Sequence, residues 1–216
     1  MSFDRIARHY GWLETVAFGG VLQEARTCWI KAVVAPKQIL ILGEGNGRFL
    51  SELVRVHREA NIDCIDASER MLELSRRRMR RVLPKPSNRV RFLHEDIVSW
   101  SPLGSYDLLV TNFVLDCFPR DEVNLIVRKL AHAATPKAYL LLADFSIPRK
   151  FFSRMHAKLW LALMYRFFRV TTGISAKRLV DPTSELEANG FICLSQRQWR
   201  FGLVKSELWQ RVRQTS

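Results

Sequence analysis

The chain has 216 residues and is 48% hydrophobic, enough for one α/β domain with a core that needs no disulfide or metal to hold it. Its four cysteines, Cys28, Cys64, Cys117 and Cys193, lie far apart with no C-x-x-C pair. That spacing excludes a zinc ribbon and a secreted disulfide framework, so no metal site is expected and a reducing, cytoplasmic setting is the reading. The formal net charge of +13 favours an anionic partner, whether membrane surface, nucleic acid or acidic substrate, and fits equally a soluble enzyme that is simply basic.

Residues 1–35 read as an N-terminal helical lead-in, and the polar start from Met1 to Arg8 is no signal peptide. Residues 38–42 (QILIL) are an apolar run of buried-strand type. Residues 47–60 follow with Phe49, Leu50, Leu53, Val54 and Val56 at helical spacing. Residues 62–66 (IDCID) form a second strand that ends on an acid. Ser68 is the N-cap expected for a helix through Met71, Leu72 and Leu74 into the Arg76–Arg81 cluster, which Pro84 and Pro86 stop. A third strand at Val90–Leu93 leads to Glu95-Asp96, and a fourth runs from Tyr106 to Thr111. A helix over 121–134 shows Val123, Ile126, Val127 and Leu130 on one face. After the loop at Thr135-Pro136, Ala138–Phe145 is a fifth strand. Phe191–Leu194 and a β-like tail around Phe201–Val204 supply a closing hairpin.

Alternating strands and helices specify a doubly wound sheet. Between the fifth strand and the hairpin, residues 146–182 interrupt the alternation and read as an inserted helical cap. The expected organisation is one domain: a helical lid (1–35), a cofactor-binding core (36–145), the cap (146–182) and closing strands (183–216).

Gly43, Gly45 and Gly47 follow the first strand directly. Glycine turns with positive φ and lets backbone approach a ligand, and the helix that starts behind it aims free N–H groups at negative charge. Asp66 ends the next strand roughly 20 residues beyond, where a carboxylate accepts both hydroxyls of a ribose. Asp96 ends the third strand, where an acid accepts from an adenine amino group. A dinucleotide site uses G-x-G-x-x-G; this loop is G-x-G-x-G followed by Arg48 and Phe49, which suits a smaller nucleoside cofactor.

At these residues the chain resembles the class I S-adenosylmethionine-dependent methyltransferases, from Ile39 to Phe145. The matching stretches are ILILGEGNG, IDCIDASERMLELSRRR, VRFLHEDI and YDLLVTNFVLDCF, with RKLAHAATPKAY a looser match. The opening Phe3-Asp4-Arg5-Ile6-Ala7-Arg8-His9-Tyr10 resembles the lead-in of the ubiquinone/menaquinone-biosynthesis C-methyltransferases and their lipid-methylating relatives. The resemblance implies a Rossmann-like fold of about seven strands, with S-adenosylmethionine as cofactor and S-adenosylhomocysteine as product. It implies that Gly43, Gly45 and Gly47 approach the methionine portion and that Asp66 holds the ribose. Ala67 and Met71 then pack beside adenine, Asp96 binds its amino group with Ile97 behind, Asn112 and Phe113 line the methyl-transfer pocket, and Tyr10 folds over as a lid. The family usually carries an acid where this chain has Ile41; Glu44, inside the loop, is the candidate to take over that polar work.

Residues 146–180 hold eight Lys/Arg and no Asp or Glu. On a helical wheel Lys150, Arg154, Lys158, Arg166 and Arg169 share one arc, opposite Phe152, Met155, Leu159, Trp160, Leu163, Met164 and Phe167. The cap is thus basic and amphipathic. It reads either as a cover whose charges face water or as a lid over an apolar channel resting on an anionic membrane. Its longest uncharged run, Leu159–Tyr165, is far short of the ~20 residues a membrane span needs. Nucleic acid is the weaker partner: Asn112 is followed by Phe-Val-Leu rather than the Pro-Pro-aromatic run of base-amine methyltransferases, and no RNA-binding module is attached.

Methyl transfer needs placement and an excluded-water pocket, and a base only when the acceptor must lose a proton. Candidates for that base are Asp116, Tyr10, His156, Tyr165 and His9. The expected function is methyl transfer to a small, apolar or lipid-like acceptor, with a catalytically silent cofactor-binding scaffold and a nucleic-acid methyltransferase as the alternatives.

Overall fold

The structure, a computed structural model, describes residues 20–83, 88–148 and 179–212. Tyr10, His9, His156 and Tyr165, the first part of the helical lid and nearly all of the basic cap lie outside the described residues.

Helix α1 (Val21–Thr27) and a 3₁₀ turn (Ile30–Ala32) lead to β1 (Gln38–Leu42). Then come α2 (Arg48–Val56), β2 (Asn61–Asp66), α3 (Glu69–Val82), β3 (Val90–His94) and β4 (Tyr106–Asn112). A 3₁₀ turn (Leu115–Cys117), α4 (Arg120–Ala133), β5 (Ala134–Phe145), α5 (Thr183–Ala188), β6 (Phe191–Trp199) and β7 (Val204–Arg211) complete it.

The strands form one seven-stranded sheet in the order β3-β2-β1-β4-β5-β7-β6. The first five are parallel, and β7 runs antiparallel between β5 and β6. The α/β doubly wound reading therefore holds. Strands covered on both faces need apolar residues at consecutive positions, and Ile39 to Leu42 are all buried. Their alternation splits the core. Leu40, Leu42, Leu109, Leu140 and Leu142 pack with α4 and Trp209 on one face. Ile39, Ile41, Leu108, Val110 and Leu141 pack with Phe49, Leu50 and Leu53 of α2 on the other.

Four boundaries differ from expectation, among them strand β6, which runs on to Trp199 instead of ending at Leu194, and one helix is new. Helix α2 stops at Val56 instead of residue 60, because His57 leaves helical geometry and Val56 has turned out to solvent, 40% exposed. Strand β5 starts at Ala134, carrying Pro136 and a positive-φ Lys137 inside a register shift instead of in a loop. The final strand is Val204–Arg211; Phe201 sits in a 3₁₀ turn at φ 57, so the tail begins where a strand was expected to finish. Helix α5 was not anticipated, since its six residues are too few to show a helical period.

The strand order reverses between β1 and β4. In open α/β sheets ligands bind outside the carboxyl ends of the strands at this switch point. Both the glycine loop after β1 and the segment after β4 lie there.

Candidate cofactor and methyl-transfer site

Each glycine of the loop has positive φ: 67° at Gly43, 68° at Gly45 and 81° at Gly47. Two are also demanded by packing. A Cβ on Gly43 would meet Val114 Cγ2 at 2.4 Å, and one on Gly47 would meet Ser75 Oγ at 2.7 Å and Ser75 Cα at 2.9 Å. The loop is thereby wedged between the segment after β4 and helix α3. A Cβ on Gly45 would meet nothing within 4 Å, so this glycine borders open space.

The loop is tied to the end of β2. The Gly45 N–H donates to Asp66 Oδ2 at 3.0 Å, and the Ser68 N–H donates to Asp66 Oδ1 at 2.9 Å. Asp66 is thus held by backbone on both oxygens. Ser68 in turn caps α3, accepting from the Met71 N–H at 3.2 Å.

Ile41, at the position where the resembling family carries an acid, is 1% exposed and packs against α2. Glu44, the candidate to take over that acid's polar work, lies inside the loop. Its Oε1 accepts from the Leu50 N–H at 2.9 Å, satisfying a donor in the first turn of α2. The residue is partly exposed, but its carboxyl turns inward. Burial pushes its pKa up to about 8, offset in part by the Leu50 N–H and by Arg26, with Asp66 adding to the rise.

Arg26 is a site residue that sequence reading did not single out. Helix α1 packs Leu22 and Ala25 against Ala143, Phe145 and Val204. This sets the Arg26 guanidinium 4.9 Å from the centroid of the Phe113 ring. Phe113 itself has φ 57 and lies 5.1 Å from the ring of Phe145. A basic residue on the helix just before the glycine loop was the available signal, but only the packing of α1 aims it there.

Among the adenine-side candidates, Ile97 and Met71 are buried and Ala67 is half-buried. Asp96 is exposed at the end of β3, its Oδ1 accepting from the Val98 N–H at 2.8 Å. Lys129 of α4 fixes that loop by donating to the carbonyls of Val98 and Trp100. At the end of β4, both polar atoms of the Asn112 amide are buried with no hydrogen-bond partner among the described residues. Buried amide groups are ordinarily paired, so this one has capacity for a ligand.

Asp116, from the turn after β4, is 5% exposed, and burial raises its pKa to about 6, with the Cys117 thiol, 3.6 Å away, partly countering the rise. Beside it lies Asp144, 2% exposed at the end of β5, also missed in the sequence. Burial and the neighbouring Asp116 hold its carboxyl well above the usual carboxylate range. An acid ending the apolar run AYLLLADF, at the ligand-facing end of a parallel strand, was the signal.

The residues present fit a nucleoside sulfonium: glycines for close backbone approach, an acid at the end of β2, an orphaned amide, and carboxyls that a bound cation would draw toward their charged forms. The family described as methyltransferase domain matches residues 40–140. No curated protein matches the sequence. An O-methyltransferase family protein from Burkholderia thailandensis superposes with a TM-score of 0.72 at 16% identity, over 95% of this chain and 59% of that one. This chain thus spans well under two thirds of that protein's length. Magnesium protoporphyrin IX methyltransferase from Synechocystis, solved with bound S-adenosylhomocysteine, gives 0.63 at 19% identity, over 88% and 82% of the two chains. The N-methyltransferase NodS from Bradyrhizobium japonicum, in complex with S-adenosylhomocysteine, gives 0.61 at 14% identity, over 88% and 84%. Residues 40–140 thus match a methyltransferase-domain family, and the sheet has the fold of these methyltransferases, two of them solved with S-adenosylhomocysteine.

Proposed function

We propose that the chain transfers a methyl group from S-adenosylmethionine to a small, apolar or lipid-like acceptor. The observation that carries the cofactor half is the link between loop and strand end: the Gly45 N–H on the Asp66 carboxylate at the switch point of the sheet. The cofactor supplies an electrophilic methyl on a positively charged sulfur. Backbone of the glycine loop and the first turn of α2 hold its methionine portion, and Asp66 holds its ribose. Ala67, Met71, Asp96 and Ile97 bound the adenine, and Asn112 and Phe113 border the transfer region.

Electrostatics favour this assignment. The chain is strongly basic overall, yet Glu44, Asp66, Asp116 and Asp144 gather at one edge of the sheet. A sulfonium bound among them favours their charged forms, and in a partly desolvated site that attraction is far stronger than in water.

The acceptor half rests on apolar lining and on charge placement. Val114 lies against Gly43, and Phe113, beside it in the chain, packs on Phe145. Eight of the chain's 34 Lys/Arg fall within residues 146–180, without a single acid, which suits an anionic membrane surface from which a lipid-like acceptor is drawn. Methyl transfer from labelled S-adenosylmethionine to a panel of quinol, phenol and phospholipid-amine acceptors tests the activity, with flotation on anionic and neutral vesicles alongside. Product on at least one acceptor and preferential flotation with anionic vesicles are the expected results. Cofactor binding without product on any acceptor favours a silent scaffold, transfer to nucleic acid alone would replace the acceptor class, and equal flotation on both vesicles would remove the membrane.

A further inference from the structure

We propose that Asp116 and Asp144 form a two-carboxyl proton acceptor on the acceptor side of the site, so that the methyl goes to an oxygen or nitrogen that bears a proton. This rests on the methyl-transfer reading above and narrows it, since a thioether or a tertiary amine would give such a pair nothing to accept.

The two residues come from different strand ends and are joined through backbone: Asp144 accepts the Asp116 N–H and, at 2.8 Å, the Phe145 N–H. Both are buried at the ligand-facing edge. Two neighbouring carboxylates out of water do not both ionise readily, and such pairs share a proton. Burial raises both carboxyls, Asp144 well above the ordinary carboxylate range and Asp116 to about 6, and their mutual repulsion favours a pair that holds one proton and keeps one carboxylate able to accept.

The groups around the pair do not cancel it. Lys205 lies opposite Asp144 in the β5–β7 register. Its ammonium goes to Glu207 at 3.0 Å and to Asp181 at 3.3 Å, and Glu207 also receives the Gln196 amide at 2.8 Å and the Trp209 indole N–H at 3.1 Å. The Cys117 thiol, pushed well up by burial and by Asp116 and Asp144, stays protonated. The net balance is negative, with Lys205 against Asp181, Glu207 and the one carboxylate of the pair.

A second observation points to a ligand at this place. Thr111 is 1% exposed, and its hydroxyl has no partner among the described residues. Since Thr111 pairs with Leu142, it shares a sheet face with Asp144 and stands diagonally across from it. A buried hydroxyl beside a carboxyl pair, unpaired in the protein, offers the hydrogen bond that would orient an acceptor's O–H or N–H. As the acceptor's oxygen or nitrogen gains the methyl, its proton passes to the Asp116 carboxylate, and the electron pair of the broken carbon–sulfur bond stays on sulfur.

The pair is read directly in the protein by following carboxyl ¹³C shifts of labelled aspartate with pH, in wild type, Asp116→Asn and Asp144→Asn. We expect two linked steps in wild type, the upper one above the ordinary carboxylate range. In Asp144→Asn a single step should remain, moved toward ordinary values. Two independent titrations in the ordinary range would overturn the proposal. With a phenol or primary amine as probe acceptor, the rate should rise with pH and fall about a hundredfold or more in Asp116→Asn, with unchanged affinity for S-adenosylhomocysteine; Asp116→Glu should restore part of it. An undiminished rate in Asp116→Asn would also overturn it. Absence of both S-adenosylhomocysteine binding and transfer would instead sink the methyl-transfer reading, while the carboxyl titration still judges the pair.

Discussion

Glu44 is a carboxyl with two competing obligations. It satisfies the Leu50 N–H at the start of α2, which favours the charged form, yet it sits out of water near Asp66, which disfavours it. Desolvation wins, and the group holds its proton up to about pH 8 where an ordinary glutamate loses it near 4.5. Between those values the folded chain binds a proton that the unfolded chain has released, so stability falls as pH rises through this window. Glu44→Gln keeps an acceptor for Leu50 and removes the titration. Denaturant midpoints taken at several pH values should therefore decline less steeply in Glu44→Gln than in wild type; an identical slope would place the proton elsewhere. Asp116 and Asp144 act in the same direction, so the slope should shrink without vanishing.

The glycine loop is the element that makes the site, and its three glycines serve different purposes. Gly47→Ala drives a Cβ against the backbone of Ser75, and φ 81 adds strain. The expected cost is about 2–4 kcal/mol of stability, seen as a lower thermal midpoint. Gly45→Ala meets nothing in the protein and carries only the strain of φ 68, about 1–2 kcal/mol. Its added methyl points into the space beside Asp66, so it should weaken S-adenosylhomocysteine binding more than it weakens the fold. Calorimetric titration and thermal melting on the two variants separate these effects, and equal affinity for Gly45→Ala and wild type would mean that the open space is not the ligand's.

This loop could be read from the sequence because everything it needs is local: an apolar strand, glycines at fixed offsets, and an acid one strand later. Ser68 was readable for the same reason, as an N-cap between two periodic runs. Arg26 and Asp144 were not, because each owes its place to packing between elements far apart in the chain. Helix α1 reaches the loop by seating on β5 and β7 and against α2, and Asp144 meets Asp116 only because β4 and β5 pair in parallel. The ends of the closing hairpin failed for a physical reason too. Strand β6 is an edge strand with residues exposed on both faces, so it shows no clean alternation, and the turn at Phe201 adopts a left-handed conformation that its sequence does not announce.

At the scale of the molecule, charge is divided by position. Arginines on α3, among them Arg77, Arg78, Arg80 and Arg81, face solvent, whereas the acids that bear on the site are turned in at the carboxyl ends of β1, β2, β4 and β5. On the function proposed above, the basic exterior would attract anionic surfaces over a screening length, and the inward acids would favour a cationic cofactor at contact distance. The arrangement places the site at the reversal between β1 and β4, with the apolar core beneath it on both faces of the sheet.

The central claim, that this edge of the sheet binds S-adenosylmethionine with Asp66 on the ribose, is tested most directly by calorimetric titration of the whole chain with S-adenosylmethionine and S-adenosylhomocysteine, beside Asp66→Ala. Saturable binding of both is the expected result, weakened by about 1.5–3 kcal/mol in the variant through loss of charge-assisted hydrogen bonds. No heat of binding at millimolar cofactor, or equal affinity in Asp66→Ala, would contradict it.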